Sequence, residues 1–210
     1  MSKVFYDKPI IEQIFEEFRN DDDKYDIEKL LNLVERLPSE DVNIQNNNGY
    51  TVLILASIYK YVEIVKLLLE KEGICINMQD RHGNTALILA SKYGCIEIVK
   101  LLLEKEGIDI NMKNITDSTA LMIASFNSRG KVVKLLLEKE GIDINVQNRH
   151  GNTALMIASF NSYGKGVKLL LEKEGIDINI RNNYTDTALK YAKRHRYTEI
   201  IKLLEDYQKN

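Results

Sequence analysis

Three histidines, two cysteines and the Asp80-x-x-Gly83 turn are the groups in this chain whose types could carry chemistry. His82 and His150 would suit zinc binding or proton transfer if a further ligand or a carboxylate joined them. They occupy the same turn position two repeats apart. Packed helix layers are spaced about 8–10 Å, which sets the two rings roughly 20 Å apart and rules out a shared zinc ion. His195 lies in Lys193-Arg194-His195-Arg196, a basic run where solvation or contact is the simpler role. No Ser-His-Asp or Cys-His scheme, paired-carboxylate pocket or phosphate-cradling glycine loop appears. Asp80-x-x-Gly83 could be taken for a calcium or phosphate loop, but its recurrence marks it as a structural turn. The expectation is no catalytic residue, no metal and no cofactor.

Cys75 and Cys95 are separated by a helix of roughly eight residues at about 1.5 Å each, so the sulfurs should stand on the order of 12 Å apart. Reduced thiols fit an intracellular, cytoplasmic protein. The N-terminus shows no secretory signal and no run approaches membrane-spanning length. Asn114-Ile-Thr and Asn183-Tyr-Thr are glycosylation sequons, which have no meaning in the cytosol.

The elements that position these residues follow a strict beat. LLLEKEGIDIN at 101–111 recurs at 67–77, 135–145 and 169–179, each copy 34 residues after the last. Thr51-Val-Leu, Thr85-Ala-Leu, Thr119-Ala-Leu, Thr153-Ala-Leu and Thr187-Ala-Leu keep the same spacing. Such a period predicts a solenoid of stacked supersecondary units.

In residues 79–112, Asp80 to Gly83 form a tight turn, with Gly83 free to take positive φ. Thr85 should cap the first helix, with Leu87 and Ala90 facing inward and Gly94 closing it. Glu97 to Glu106 should form the second helix, ended by Gly107. Ile108 and Ile110 would be buried in the link, and Asn111 would hold local backbone in an Asx turn. Ahead of the repeats, residues 8–20 place Ile10, Ile11, Ile14, Phe15 and Phe18 on one helical face. Asp21, Asp22 and Asp23 then form a solvated loop. A second helix at about 26–37 carries Ile27, Leu30, Leu31, Val34 and Leu37 and stops at Pro38.

A 34-residue period also suits tetratricopeptide repeats, but this chain has no Trp and only two Pro, both in the first 40 residues. The motifs Asp80-x-x-Gly83-x-Thr85-Ala-Leu87, Ala90, Gly94, Glu97-Ile-Val-Lys-Leu-Leu-Leu103 and Gly107-Ile-Asp-Ile-Asn111 resemble those of ankyrin repeats. The likeness spans about 45–208. It implies an all-α fold: stacked helix–turn–helix units with β-turn or hairpin fingers, five regular 34-residue units after a divergent helical cap. The expected divisions of this single domain are a cap at 1–42, repeats at 45–78, 79–112, 113–146 and 147–180, and a capping repeat at 181–210. Glu205 replaces the third Leu of the last unit, as a terminal cap requires, so the array is expected to be whole.

Departures from the family pattern are consistent. The usual His after Thr-Pro-Leu is Ile54, Ile88, Met122, Met156 or Lys190, so the turns are expected to be looser. The residue beyond 33 falls in Glu-Lys-Glu and should lengthen the second helix. In unit four Gly166 replaces Ile98 of unit two. A helical Gly costs about 0.5–1 kcal/mol and the lost side chain removes roughly 1–3 kcal/mol of burial. A soft spot is expected at 164–170.

In the family, contact positions lie on turn tips and the concave side of the first helices. Carried over, the tips include Tyr50, Arg81, His82, Ile115, Arg149, His150 and Tyr184, and the helix positions Tyr59, Tyr93, Phe126, Phe160, Arg194 and His195. Tyr59, Tyr93, Phe126 and Phe160 should form an exposed aromatic stripe, one ring per unit. Aromatics beside Arg are the usual composition of binding hot spots. Asn77, Asn111, Asn145 and Asn179 resemble the site at which ankyrin repeats are modified by an asparaginyl hydroxylase.

The resemblance implies a non-catalytic protein–protein interaction module or scaffold that binds another protein, acting as a monomer. An adaptor using residues 1–28 to recruit a target is the alternative, and an enzyme a remote one. Net charge is −2, which gives no electrostatic preference for nucleic acid or membrane. Residues 1–40 hold six Lys/Arg against eleven Asp/Glu, and residues 181–210 seven against four; that polarity could orient a partner. Richness in Asn, Ile, Lys and Tyr fits an AT-rich genome, such as that of a large DNA virus or intracellular parasite.

Overall fold

Threonine starts every inner helix of the repeats. Thr51, Thr85, Thr119, Thr153 and Thr187 take extended backbone, and each hydroxyl oxygen accepts the N–H three residues on. This satisfies one of the free donors at each helix start. The computed structural model describes residues 8–19 and 26–209. Its helices are α1 (Ile10–Glu17), α2 (Ile27–Arg36), α3 (Val52–Tyr59), α4 (Val62–Glu70), α5 (Ala86–Tyr93), α6 (Ile96–Glu104), α7 (Ala120–Phe126), α8 (Gly130–Glu138), α9 (Ala154–Phe160), α10 (Gly164–Leu171), α11 (Ala188–His195) and α12 (Thr198–Tyr207). Among the described residues no strand forms. The acidic run Asp21–Asp23 lies outside them.

The helices make two layers. Inner helices α3, α5, α7, α9 and α11 stack in order, as do outer helices α2, α4, α6, α8, α10 and α12. Ala56, Ala90, Ala124, Ala158 and Ala192 are fully buried in the inner layer, where a small side chain lets neighbouring backbones approach. Leu68, Leu102, Leu136, Leu170 and Leu204 fill the outer layer, each contributing about 1.5–3 kcal/mol of burial. In the cap, Ile11, Ile14, Phe15 and Phe18 are buried, so the apolar face of α1 is spent on the stack.

Four details differ from the sequence expectation. First, the outer helices are not lengthened. In the type unit α6 stops at Glu104, Lys105 is extended, and a turn with Gly107 at φ +79° takes up the extra residue. Lys105 has another use: its ammonium reaches the Leu69 carbonyl at the end of α4 (2.5 Å). Lys71 and Lys173 do the same to Leu37 (2.9 Å) and Leu137 (2.7 Å). A cation there satisfies orphan carbonyls and suits the negative helix end.

Second, Asn111 bonds the next unit rather than its own turn. Its Nδ2 donates to Gly141 O (2.8 Å) and its Oδ1 accepts from Asp143 N (2.9 Å). Asn43, Asn77 and Asn145 repeat this bridge to Gly73 and Cys75, Gly107 and Asp109, and Gly175 and Asp177.

Third, the fingers are tied without the family histidine. Asp80 N donates to Asn84 O (2.9 Å), and Asp80 Oδ1 accepts from His82 N and Asn84 N (2.8 Å each). Gln79 Nε2 spans its own Gly83 O (2.6 Å) and Lys113 O of the next finger (2.8 Å). Backbone bonds join neighbouring tips, as from Ile115 N to His82 O (3.0 Å).

Fourth, the space left by Gly166 is filled. Tyr163, just before α10, is buried with its ring packed on Gly166. The burial lost with the missing side chain is thus largely replaced.

Candidate functional site

The inner layer ends in rings because each inner helix is short. α7 and α9 finish at Phe126 and Phe160, whose side chains pass beyond the buried alanines. Phe126 is 58% exposed and Phe160 47%. With Met122, Met156, Ile123 and Ile157 they line a cleft of about 260 Å³ between α7, α9 and α11. His150 and Tyr191 close it from the finger and from α11. A cleft of apolar walls with a few polar groups is what an apolar anchor side chain needs.

The candidate residues separate into two groups rather than one stripe. In the first half, Tyr59 and Tyr93 are only 38% and 36% exposed. Tyr59 packs on Phe18 of the cap (centroids 5.5 Å) and stacks on Tyr61 (6.1 Å). The Lys92 ammonium sits over Tyr93 (5.4 Å). Tyr50 is half-buried, which pushes its hydroxyl pKa up, and it lies within electrostatic reach of Tyr59 and Tyr93. It is a joint between units as much as a tip.

In the second half Phe126, His150 and Phe160 meet at the cleft. Phe160 is edge-on to Tyr191 (5.6 Å) and to His195 (5.3 Å), and His195 stacks on Tyr197 (5.5 Å). Arg194 is drawn back onto Asp186 (2.7 Å), with its guanidinium over Tyr191. Lys190 also pairs with Asp186 (2.6 Å). These cations, the Lys190 bond foremost, hold the Asp186 carboxyl below its usual range.

On the fingers Arg81, His82, Ile115, Arg149, His150 and Tyr184 are exposed, Tyr184 at 70%. Arg149 is engaged: its guanidinium bonds the Ile115 carbonyl and approaches Asp117 (3.9 Å). The side-chain amides of Asn77, Asn111 and Asn145 are used in the bridges described above. Asn179 is exposed, and among the described residues its side chain makes no such bridge.

Met122, Met156 and Tyr191 are cleft residues that sequence reasoning did not single out. Tyr191 carried a signal, since it replaces Leu55, Leu89, Ile123 and Ile157 at one repeat position. Both cysteines are free; Cys95 is buried, and burial pushes its thiol pKa up. Among the described residues no three His, Cys, Asp or Glu converge as a metal set, and no helix is long and apolar enough to cross a membrane.

Stacked two-layer units with cross-linked fingers define a class, and the comparisons name it. A family model described as "Ankyrin repeats (3 copies)" matches residues 24–114 and 121–210. The chain belongs to the ankyrin repeat family. It is similar to the crystal structure of EF0377, an ankyrin repeat protein, at 31% identity and TM-score 0.78, over 95% of this chain and 97% of that one. A search of curated proteins gave no match. Neither match speaks for a viral or parasitic source. The repeats of this family are generally protein–protein interaction modules, and the fold is typically a non-catalytic scaffold.

Proposed function

We propose that this chain is a protein-binding module that grips its partner with the inner face of its C-terminal half. The carrying observation is the pair of exposed rings, Phe126 and Phe160, standing over an apolar cleft that neither ring fills. Exposed aromatics over a lined cleft are the composition of a hot spot. Tyr184, His150, Ile115, His82 and Arg81 extend the contact along the finger tips. In this reading the protein works inside the cell as a monomer, where Cys75 and Cys95 stay reduced.

The adaptor alternative has less support. It needs the apolar face of α1, and that face is buried in the stack. Hydroxylation is proposed for Asn179 ahead of Asn77, Asn111 and Asn145, because its side chain alone of the four is not bonded to a following unit.

The test is affinity for a partner isolated from the native cell. Phe126→Ala and Phe160→Ala should each weaken binding by about 2 kcal/mol or more while leaving the melting curve nearly unchanged. Unchanged affinity in both variants would sink the proposal. Unfolding of either would assign that ring to the core.

A further inference from the structure

The outer face changes sign partway along the chain. At the second helical position and three residues on, α4 carries Glu63 and Lys66, and α6 carries Glu97 and Lys100. α8 carries Lys131 and Lys134, and α10 carries Lys165 and Lys168, before α12 returns to Glu199 and Lys202. In α4 the alternation closes an ion pair, Lys66 to Glu63 at 2.8 Å, and in α6 and α12 it leaves each lysine one turn from an opposite charge. The lysine pattern sets like charges at those two positions. A lysine in the first turn faces the positive end of the helix dipole. Among the described residues Lys131, Lys165 and Lys168 have no ion-pair partner, and Lys134 reaches only Glu138, at 3.8 Å.

These four lysines rim an open groove of about 620 Å³ between α8 and α10, with Gly130 and Tyr163 among its lining. The neighbouring groove shows what such a position takes. Over Gly164, the bare first residue of α10, lies the Glu199 carboxylate, 3.2–3.3 Å from where a Gly164 Cβ would stand. Over Gly130, the matching residue of α8, lies the Tyr163 hydroxyl, 2.6 Å from the same construction. That hydroxyl is buried and, among the described residues, has no hydrogen-bond partner. The residue in Glu199's place is Lys165. A carboxylate seated by the fold in one groove is thus replaced in the other by a hydroxyl, in a lining that carries four lysines against the single carboxylate of Glu172.

From this juxtaposition we infer that the α8–α10 groove docks an acidic peptide segment of a partner protein. One carboxylate settles between Lys131 and Lys165, at the mouth of the groove beside Gly130. A second acidic residue meets Lys134 and Lys168. The groove is too large for a single carboxylate, and its apolar stretch suits a peptide. It offers no exposed aromatic platform for base stacking, which counts against single-stranded nucleic acid. This surface lies on the opposite layer from the inner-face cleft and does not depend on that reading.

The experiment uses the full chain and a fluorescein-labelled Glu-Glu-Leu-Glu-Glu-Leu peptide, read by fluorescence anisotropy at low salt. The wild type should bind it. Lys131→Glu with Lys165→Glu restores the alternation of α6 and α12 and should cut affinity by about tenfold or more, with folding intact. Lys66→Glu with Lys202→Glu makes the same charge change outside the groove and should stay within about twofold. Phe126→Ala should leave peptide binding unchanged, which separates this proposal from the inner-face one. No wild-type binding, or equal loss in the two double variants, overturns it. So does displacement of the peptide by an equal concentration of inorganic phosphate, or tighter binding of a single-stranded oligonucleotide.

Discussion

The ring of Tyr163 stands where a side chain on Gly166 would be: a Cβ built on that glycine falls 2.1 Å from ring atoms Cδ1 and Cε1. The two residues, three apart across the start of α10, are one packing unit. Gly166→Ala should therefore destabilise the protein by about 1–3 kcal/mol, despite the better helix propensity of Ala. Tyr163→Ala should cost about 3 kcal/mol through the void it opens. Tyr163→Ala with Gly166→Ile should recover part of that loss, because it restores the Ile98 pattern of unit two. Urea denaturation checks the sign. A strictly additive double variant would break the link.

Left-handed residues close every inner helix, and only one of them is glycine. Lys60, Ser128, Ser162 and Arg196 hold φ between 52° and 65° at the place Gly94 fills in unit two. A side chain there costs roughly 1 kcal/mol. Ser162→Gly should raise stability by about 0.5–1 kcal/mol, less the entropy that glycine adds to the unfolded chain. Thermal unfolding at two scan rates is a sufficient readout, and a lowered midpoint would contradict the assignment.

Asp186 makes the last unit sensitive to acid. Its carboxyl titrates below its unfolded value of about 4 because Lys190 and Arg194 stabilise the anion. The sign follows from linkage. The stabilisation is fully present above about pH 4 and is lost as pH falls through the folded value. Asp186→Asn should be less stable at pH 7 and show a flatter stability profile below about pH 4. A variant whose profile parallels the wild type would show that other carboxylates govern the acid limb.

Asn111 and Asn179 occupy one repeat position with different duties. Asn111→Ala leaves the Gly141 carbonyl and Asp143 N–H without partners and should cost about 1–3 kcal/mol, tempered by their exposure to water. Asn179→Ala should be neutral within about 0.5 kcal/mol. Intact-mass and peptide analysis of protein from its native cell would complete the comparison: an added oxygen on Asn111 with none on Asn179 would reverse the ranking.

The repeat carried most of the fold on its surface. Thr85 as cap, Gly94 as stop and Ala90 as spacer follow from residue types that have few other uses, and the structure places them so. What misled was local reading of residues that act on a neighbour. Glu104-Lys105-Glu106 looks like helix, yet Lys105 leaves the helix to serve the end of α4. Asn111 looks like an Asx turn, yet its partners are 30 and 32 residues away. Gly166 looks like a void because the ring that fills it comes from a turn of different sequence in each unit. The cleft shows the same limit. Phe126 and Phe160 were legible as exposed rings, but Met122, Met156 and Tyr191 join them only once three helices are stacked.

The amide bridges from Asn43, Asn77, Asn111 and Asn145 all point one way along the chain, each upstream unit clasping the link that follows it. Among the described residues no such clasp joins α11 and α12 to the units before them, whereas each earlier pair of neighbours shares one. Disassembly under force or denaturant should begin at the α11–α12 end and recede toward the cap. Amide exchange resolved along the sequence would display that order as lower protection in α11 and α12 than in α3 to α10, and a profile highest at the C-terminal pair would show that the clasps do not set the order.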